Sequence, residues 1–141
     1  MEELEMEIND IISFMYENLN GFLATAGSDG KPHVRAFQFM MEDEGKFYFA
    51  TSNAKDVYIQ LRENPFAEYA VSTPDFSKNI RMSGQIHFTE DKSLNEKLLN
   101  TYEFLKKIYQ TPDNPDFEVF YFQHGKFIYW DFQGNSSAID F

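Results

Sequence analysis

Residues 47–65, FYFATSNAKDVYIQLRENP, read as a β-strand that runs straight into an α-helix. The helix spans about 54–63 and stops at Asn64-Pro65, because a proline disfavours helical geometry in the residue before it. At the junction stand Thr51, Ser52, Asn53 and Lys55: two hydroxyls, an amide and a cation. A helix start exposes backbone N–H groups without intrahelical partners, and the macrodipole adds partial positive charge there. Asn53 fits an N-cap, with Asp56 three residues on in a capping-box-like place. Two readings follow. Either these side chains only cap the helix and Lys55 is solvated, or Lys55 and the hydroxyls complete a cradle for a phosphate.

The preceding strand bears on that choice. In HVRAFQF, strand alternation puts His33, Arg35, Phe37 and Phe39 on one face, with Val34, Ala36, Gln38 and Met40 on the other. An arginine among apolar strand residues must find an anion, a carbonyl or water. One of the chain's many carboxylates is a serious competitor for it. If 32–40 and 46–51 are consecutive strands of a meander, they are antiparallel neighbours, and Arg35 lies close to Thr51. Two cations and a helix N-terminus then converge on one patch.

Further out, GFLATA and PHVRAFQFM flank GSDG, whose Asp29-Gly30 is a hairpin signal. MEDEG turns the chain into KFYFAT, and its acidic residues read as a solvated loop. FAEYAVS and NIRMSGQIHF form a second strand pair, in which Gly84 marks a bulge or a tight barrel bend. At the N-terminus, Leu4, Ile8, Ile11, Ile12, Met15 and Leu19 follow helical spacing, and Asn20-Gly21 supplies a stop. Leu94, Leu98, Tyr102, Leu105 and Tyr109 mark another helix, broken in its middle. FEVFYF and KFIYWDF, joined by QHG, are nearly continuous aromatic runs that either close a barrel or lie in a subunit interface. The expected fold is β-rich α+β: an antiparallel six- to seven-stranded barrel with flanking helices, in one domain over 1–141.

Composition narrows the function classes. The chain has 141 residues, 23 Asp+Glu against 12 Lys+Arg, and a formal net charge of -11, which disfavours nucleic-acid binding over a broad surface. It has no cysteine, so disulfides, thiolate metal sites and cysteine nucleophiles are excluded. The acidic N-terminus is unlike a signal peptide and no apolar run reaches membrane-spanning length, so a cytoplasmic location is expected. His33, His87 and His124 are dispersed and read as structural or surface residues. No triad, metal cluster or GxGxxG is present.

The ordered set L-A-T, D-G-x-P, an Arg in the second strand, F-x-T, N-x-K-x-V-Y-x-Q-L and N-P resembles the pyridoxamine 5'-phosphate oxidase-like family, the FMN-binding split barrels. The resemblance covers nearly the whole chain. It implies a homodimer with FMN in clefts between subunits and a flavin-dependent oxidoreductase activity on a small molecule. By the same resemblance Arg35, Ala36, Phe37 and Gln38 line the flavin, while Thr51, Ser52, Asn53 and Lys55 hold its ribityl chain and phosphate. Trp130 is the candidate to complete the partner's pocket, against a core or interface role. Arg81 either adds positive charge or forms a surface ion pair. NAD(P)H, if used, reaches the flavin transiently. No arginine follows Arg81, whereas the vitamin B6 oxidases carry a substrate-binding arginine and histidine near the C-terminus. The chain is more similar to the short nitroimidazole-reductase-type and general-stress-type members. Other uses of such a fold are flavin storage without catalysis, a deazaflavin, or haem on one of the three histidines.

Overall fold

The computed structural model describes residues 6–141, so the expected place of Leu4 on the first helix lies outside the described residues. Helix α1 (Ile8–Glu17) turns Ile11, Phe14 and Met15 into the core. The Asp10 carboxylate accepts the Glu7 backbone N–H at 2.9 Å, satisfying one of the free donors at the helix start. The helix ends at Asn18, whose side-chain amide donates to the Phe14 carbonyl, earlier than the expected Asn20-Gly21 stop. Those two residues open strand β1 (Asn20–Ala26) instead. Gly21 is required there by close packing: a Cβ would lie 2.5 Å from the Ala70 carbonyl oxygen and 2.6 Å from the Tyr69 ring.

Strand β2 (Pro32–Gln38) returns along β1 through the predicted hairpin, with Gly30 in the left-handed region. A short β3 (Met41–Asp43) and β4 (Lys46–Ser52) then pair through a turn at Glu44 and Gly45, both at positive φ. Helix α2 (Asp56–Glu63) and β5 (Phe66–Ser72) follow, then the long β6 (Lys78–Thr89). Helices α3 (Lys92–Thr101) and α4 (Glu103–Tyr109) break at Tyr102, as the spacing predicted. Strands β7 (Phe117–Phe122), β8 (Lys126–Asp131) and β9 (Ser136–Asp140) close the chain.

The strands run in the order β2-β1-β5-β6-β7-β4-β3, with β8 added to β6 and β9 to β8. Seven strands of six or more residues correspond to those expected, and β3 and β9 are short additions. All pairs are antiparallel. Strand β6 is the splitting point. Residues 78–83 pair with β8 and residues 86–89 with β7, and the switch falls at Gly84. There a Cβ would stand 3.1 Å from the Cα of Gly125, so the bend needs two facing glycines.

One expectation fails. Strand β2 does not neighbour β4: β2 pairs with β1, whereas β4 pairs with β3 and β7. The chain leaves one sheet and joins the other at Phe39 and Met40. The Phe39 N–H donates to the Leu19 carbonyl and the Met40 N–H to that of Tyr48, while Phe39 is fully buried. Burying such a ring contributes about 2–3 kcal/mol, enough to hold the crossing and carry β2 and β4 to opposite margins of the opened barrel.

Side chains of both sheets fill the barrel. Phe49 stacks on Phe120 at 5.6 Å between ring centroids, and Phe47 meets Phe127 edge-on at 5.0 Å. A second core lies on the other face of β4 and β7, where Tyr48 and Val119 pack under Leu98, Leu105 and Tyr109 of α3 and α4. This accounts for the continuous aromatic run of β7, whose two faces are both covered within the chain, whereas that of β8 leaves Trp130 exposed on its outer face. No helix among the described residues is long and apolar enough to cross a membrane.

Candidate functional site

Antiparallel register places Leu23 of β1 opposite Arg35 of β2, and Thr25 opposite His33. Arg35 therefore extends over the barrel-facing side of β1 toward Thr25. Its Nη1 donates to Thr25 Oγ1 at 2.8 Å and more weakly to the Leu23 and His33 carbonyls at 3.4 and 3.3 Å. Its Nη2 donates to Oε1 of Gln60 on α2 at 2.5 Å. Gln60 Oε1 also accepts the Thr25 hydroxyl at 2.6 Å, which closes a triangle across three elements. The expected competitor, a carboxylate, is absent from it. Among the described residues the ion pairs are Asp29–His33 and Glu68–Arg81, so neither Arg35 nor Lys55 is neutralised by a carboxylate in contact. Burial lowers the Arg35 pKa, and the field of Asp56 acts the other way to retain its charge.

A cleft of about 500 Å³ opens beside this triangle. It is lined by Arg35, Ala36 and Phe37 of β2 and by Lys55, Asp56, Val57 and Gln60 at the start of α2. The two cations thus share one cleft although their strands are not neighbours: α2 brings Lys55 to β2 across the opening. Phe37 points inward and meets Phe49 at 6.2 Å between centroids, bridging the margins of the split.

The helix terminus differs from the sequence expectation. Lys55, not Asn53, is the N-cap residue, and among the described residues no side chain caps the helix. Asn53 is drawn away: its side-chain amide donates to the Pro115 carbonyl at 2.7 Å and to Glu118 at 3.3 Å, and its backbone N–H donates to the Asp116 carbonyl. Those long-range bonds outcompete the local cap and leave the first N–H groups of α2 without a side-chain acceptor. Ser52 Oγ accepts the Ala54 N–H at 3.2 Å. Thr51 is 2% exposed, and its hydroxyl oxygen has no hydrogen-bond partner among the described residues. An unsatisfied buried hydroxyl costs about 1–3 kcal/mol, so a partner from a ligand or solvent would be favoured.

Other candidates stand apart. Gln38 ends β2 opposite Asn20. Trp130 is 44% exposed on the outer face of β8, with Phe132 edge-on at 5.5 Å, so it is not a core residue of this chain. Arg81 pairs with Glu68 at 2.6 Å on the sheet surface. His33 lines the cleft and contacts Asp29, whose carboxyl is held below its usual range chiefly by the Lys31 N–H and also by His33. His87 stacks on Tyr121, and His124 occupies a positive-φ position beyond β7. Among the described residues no three metal-ligating side chains cluster.

Thr25 and Gln60 entered the sequence reading only as letters of the L-A-T and N-x-K-x-V-Y-x-Q-L motifs, and Asp56 only in a capping place, none of them as a site residue. Their signals were present: Thr25 follows Leu23 on the inward face of β1, and Gln60 lies one turn after Asp56 on α2.

The family model for pyridoxamine 5'-phosphate oxidase matches residues 6–131. A pyridoxine/pyridoxamine 5'-phosphate oxidase of Acinetobacter baumannii is 34% identical over 64 residues, which take in 45% of this chain and 29% of that enzyme. The chain thus matches less than a third of that relative's length. A NimC/NimA family protein of Clostridium acetobutylicum shares the fold with a TM-score of 0.85 and 28% identity, over 95% of this chain and 92% of that one. General stress protein 26 of Bacillus anthracis superposes with a TM-score of 0.76 at 19% identity, over 95% of this chain and all of that one (100%). Folds of this kind also occur in an FMN-binding protein of Nostoc punctiforme (TM-score 0.64), a haem-binding protein of Mycobacterium smegmatis (0.74) and an F420 reductase (0.59). Matched by the family model over most of its length, the chain belongs to the pyridoxamine 5'-phosphate oxidase family.

Proposed function

We propose that the chain binds FMN in the cleft between β2 and α2 and works as a flavin-dependent oxidoreductase of a small molecule. The observation that carries this reading is the pair Arg35 and Lys55: two cations that, among the described residues, have no carboxylate contact, flanking a helix N-terminus that no described side chain caps. That combination suits a phosphate monoester, which accepts charge-assisted hydrogen bonds from both cations and from backbone N–H groups. Arg35, Lys55 and the first turn of α2 would hold the phosphate, with Thr51 and Ser52 beside it. The apolar surface of Ala36 and Phe37 would flank the ring system. When bound, the flavin supplies the hydride or electron chemistry, and the protein supplies position, electrostatics and access.

The same reading includes a homodimer. On the outer face of the sheet, register aligns Ala36, Phe22, Ala70, Arg81, Ile128 and Ala138 in one row across six strands. Phe22 on that row is 59% exposed and Val34 beside it 69%. A sheet face that is apolar at every position of this row but Arg81 favours a partner. Val34 and Ala36 also line the cleft, so the face and the site are continuous, and Trp130, exposed on that face, would be open to a partner.

The experiment is an absorbance spectrum of the purified protein, mass analysis of what heat releases, and the solution mass. Oxidised-flavin bands, released FMN and a doubled mass are expected. A colourless protein that also ignores added FMN refutes the reading. Turnover with NAD(P)H and an electron acceptor then separates catalysis from flavin storage.

A further inference from the structure

The triangle of Arg35, Thr25 and Gln60 carries a consequence for selectivity. Arginine only donates hydrogen bonds, so the Gln60 atom facing it must be the carbonyl oxygen; the amide orientation is fixed by its partner. That oxygen accepts from both Arg35 and Thr25, which fills its two lone pairs. Thr25 Oγ1 in turn accepts from Arg35 and spends its single proton on Gln60. The guanidinium is thereby held on Nη1 and Nη2, while its Nε–H makes no hydrogen bond among the described residues. A glutamate at position 60 could make the same two contacts but would cancel the charge.

We propose that Gln60 is a positioning residue that sets the charge selectivity of the cleft. It immobilises Arg35 through a neutral oxygen, so the guanidinium is oriented without being neutralised and its charge remains available to a phosphate monoester. This rests on reading the cleft as a phosphate site.

The test compares FMN with riboflavin, which lacks the phosphate, by flavin fluorescence titration of the wild type, Gln60→Glu and Gln60→Met. Wild type should prefer FMN. Gln60→Glu keeps the acceptor, forms an ion pair with Arg35 and should melt no lower than wild type. Its FMN affinity should nevertheless fall by about tenfold or more, with riboflavin unchanged within about twofold. Inorganic phosphate should compete with FMN on the wild type and much less on Gln60→Glu. Gln60→Met keeps the side-chain length but frees Arg35, and should lower the same FMN-to-riboflavin ratio. It decides the matter if Gln60→Glu does not fold. A wild type without preference for FMN removes the phosphate reading itself. A wild type that prefers FMN, with variants that keep that preference or lose both flavins equally, overturns the role of Gln60 alone.

Discussion

Lys55→Ala isolates the phosphate interaction from the fold. Lys55 is exposed, forms no ion pair among the described residues, and occupies an N-cap position that no side chain serves. Its removal should leave the melting temperature unchanged, because nothing that holds the chain together depends on its ammonium. Its contribution to a bound phosphate can be bracketed. Two unit charges about 4 Å apart attract by about 1 kcal/mol in water and about 4 kcal/mol at the effective dielectric near a protein surface. Hydrogen bonds to charged groups contribute about 1.5–3 kcal/mol net. An exposed lysine beside a half-buried cleft belongs at the lower end, about 1.5–2.5 kcal/mol, or about 10- to 70-fold in Kd. Riboflavin affinity should change by less than about twofold, since the contact it loses is unrelated to the ring. The FMN effect should shrink when salt rises from about 0.05 to 0.5 M, because screening shortens from beyond 10 Å to a few ångströms. Lys55→Arg should restore most of the difference. Fluorescence titration with both flavins reads all of this. Equal weakening of FMN and riboflavin, or no weakening of either, would refute the assignment.

Three other perturbations test separate parts of the argument. Asp56→Asn removes a negative charge from the cleft and should tighten FMN binding by about two- to fivefold, while a favourable carboxylate at the α2 N-terminus is lost for about 0.3–1 kcal/mol of stability. Affinity and melting temperature moving in the same direction would contradict the placement of Asp56. Gly125→Ala would put a Cβ 2.2 Å from the Ser83 carbonyl oxygen and 2.9 Å from the Phe141 ring. Overpacking of this kind costs about 1–3 kcal/mol or more, and an unshifted denaturant midpoint would disprove the tight crossing at the split. Acid should also destabilise the protein. Asp131 is held below its usual range by Asn135 first, and Asp75 is lowered to about 2 by Ser77 and Thr73. A folded pKa below the unfolded one gives stability that is present above the ordinary carboxylate range near about 4 and is lost as pH falls through the folded value. Urea unfolding between pH 6 and 3 should show this decline, and Asp131→Asn should flatten it.

Local chemistry was readable where it acted alone. The Asp29-Gly30 hairpin and the break at Tyr102 follow from residues within one turn of the feature, and Gly84 marks its bend although the facing Gly125 comes from far along the chain. What escaped the sequence was decided at long range. Strand β3 has three residues, two of them acidic, and β9 begins with paired serines, so neither shows a strong strand pattern. Asn53 has the chemistry of a helix cap, but Pro115 and Glu118 arrive from 62 and 65 residues away and claim its amide.

The meander expectation failed for a related reason. Adjacency in sequence favours adjacency in the sheet, yet the buried ring of Phe39 pins a crossing that sends β2 and β4 to opposite margins. The expected meeting of the two cations was nevertheless met, by a helix in place of a strand pair. Arg35 had to find partners, and sequence could state that requirement without naming who meets it. Charged partners advertise themselves in a composition of 23 acids and 12 bases. Neutral ones such as Thr25 and Gln60 do not, and they are what lets this arginine be fixed in place and still be charged. A buried cation paired with a carboxylate is compensated; one held by an amide and a hydroxyl still attracts an anion. In this cleft the uncharged residues therefore determine, together with the Asp56 carboxylate on its lining, how much positive charge a ligand meets.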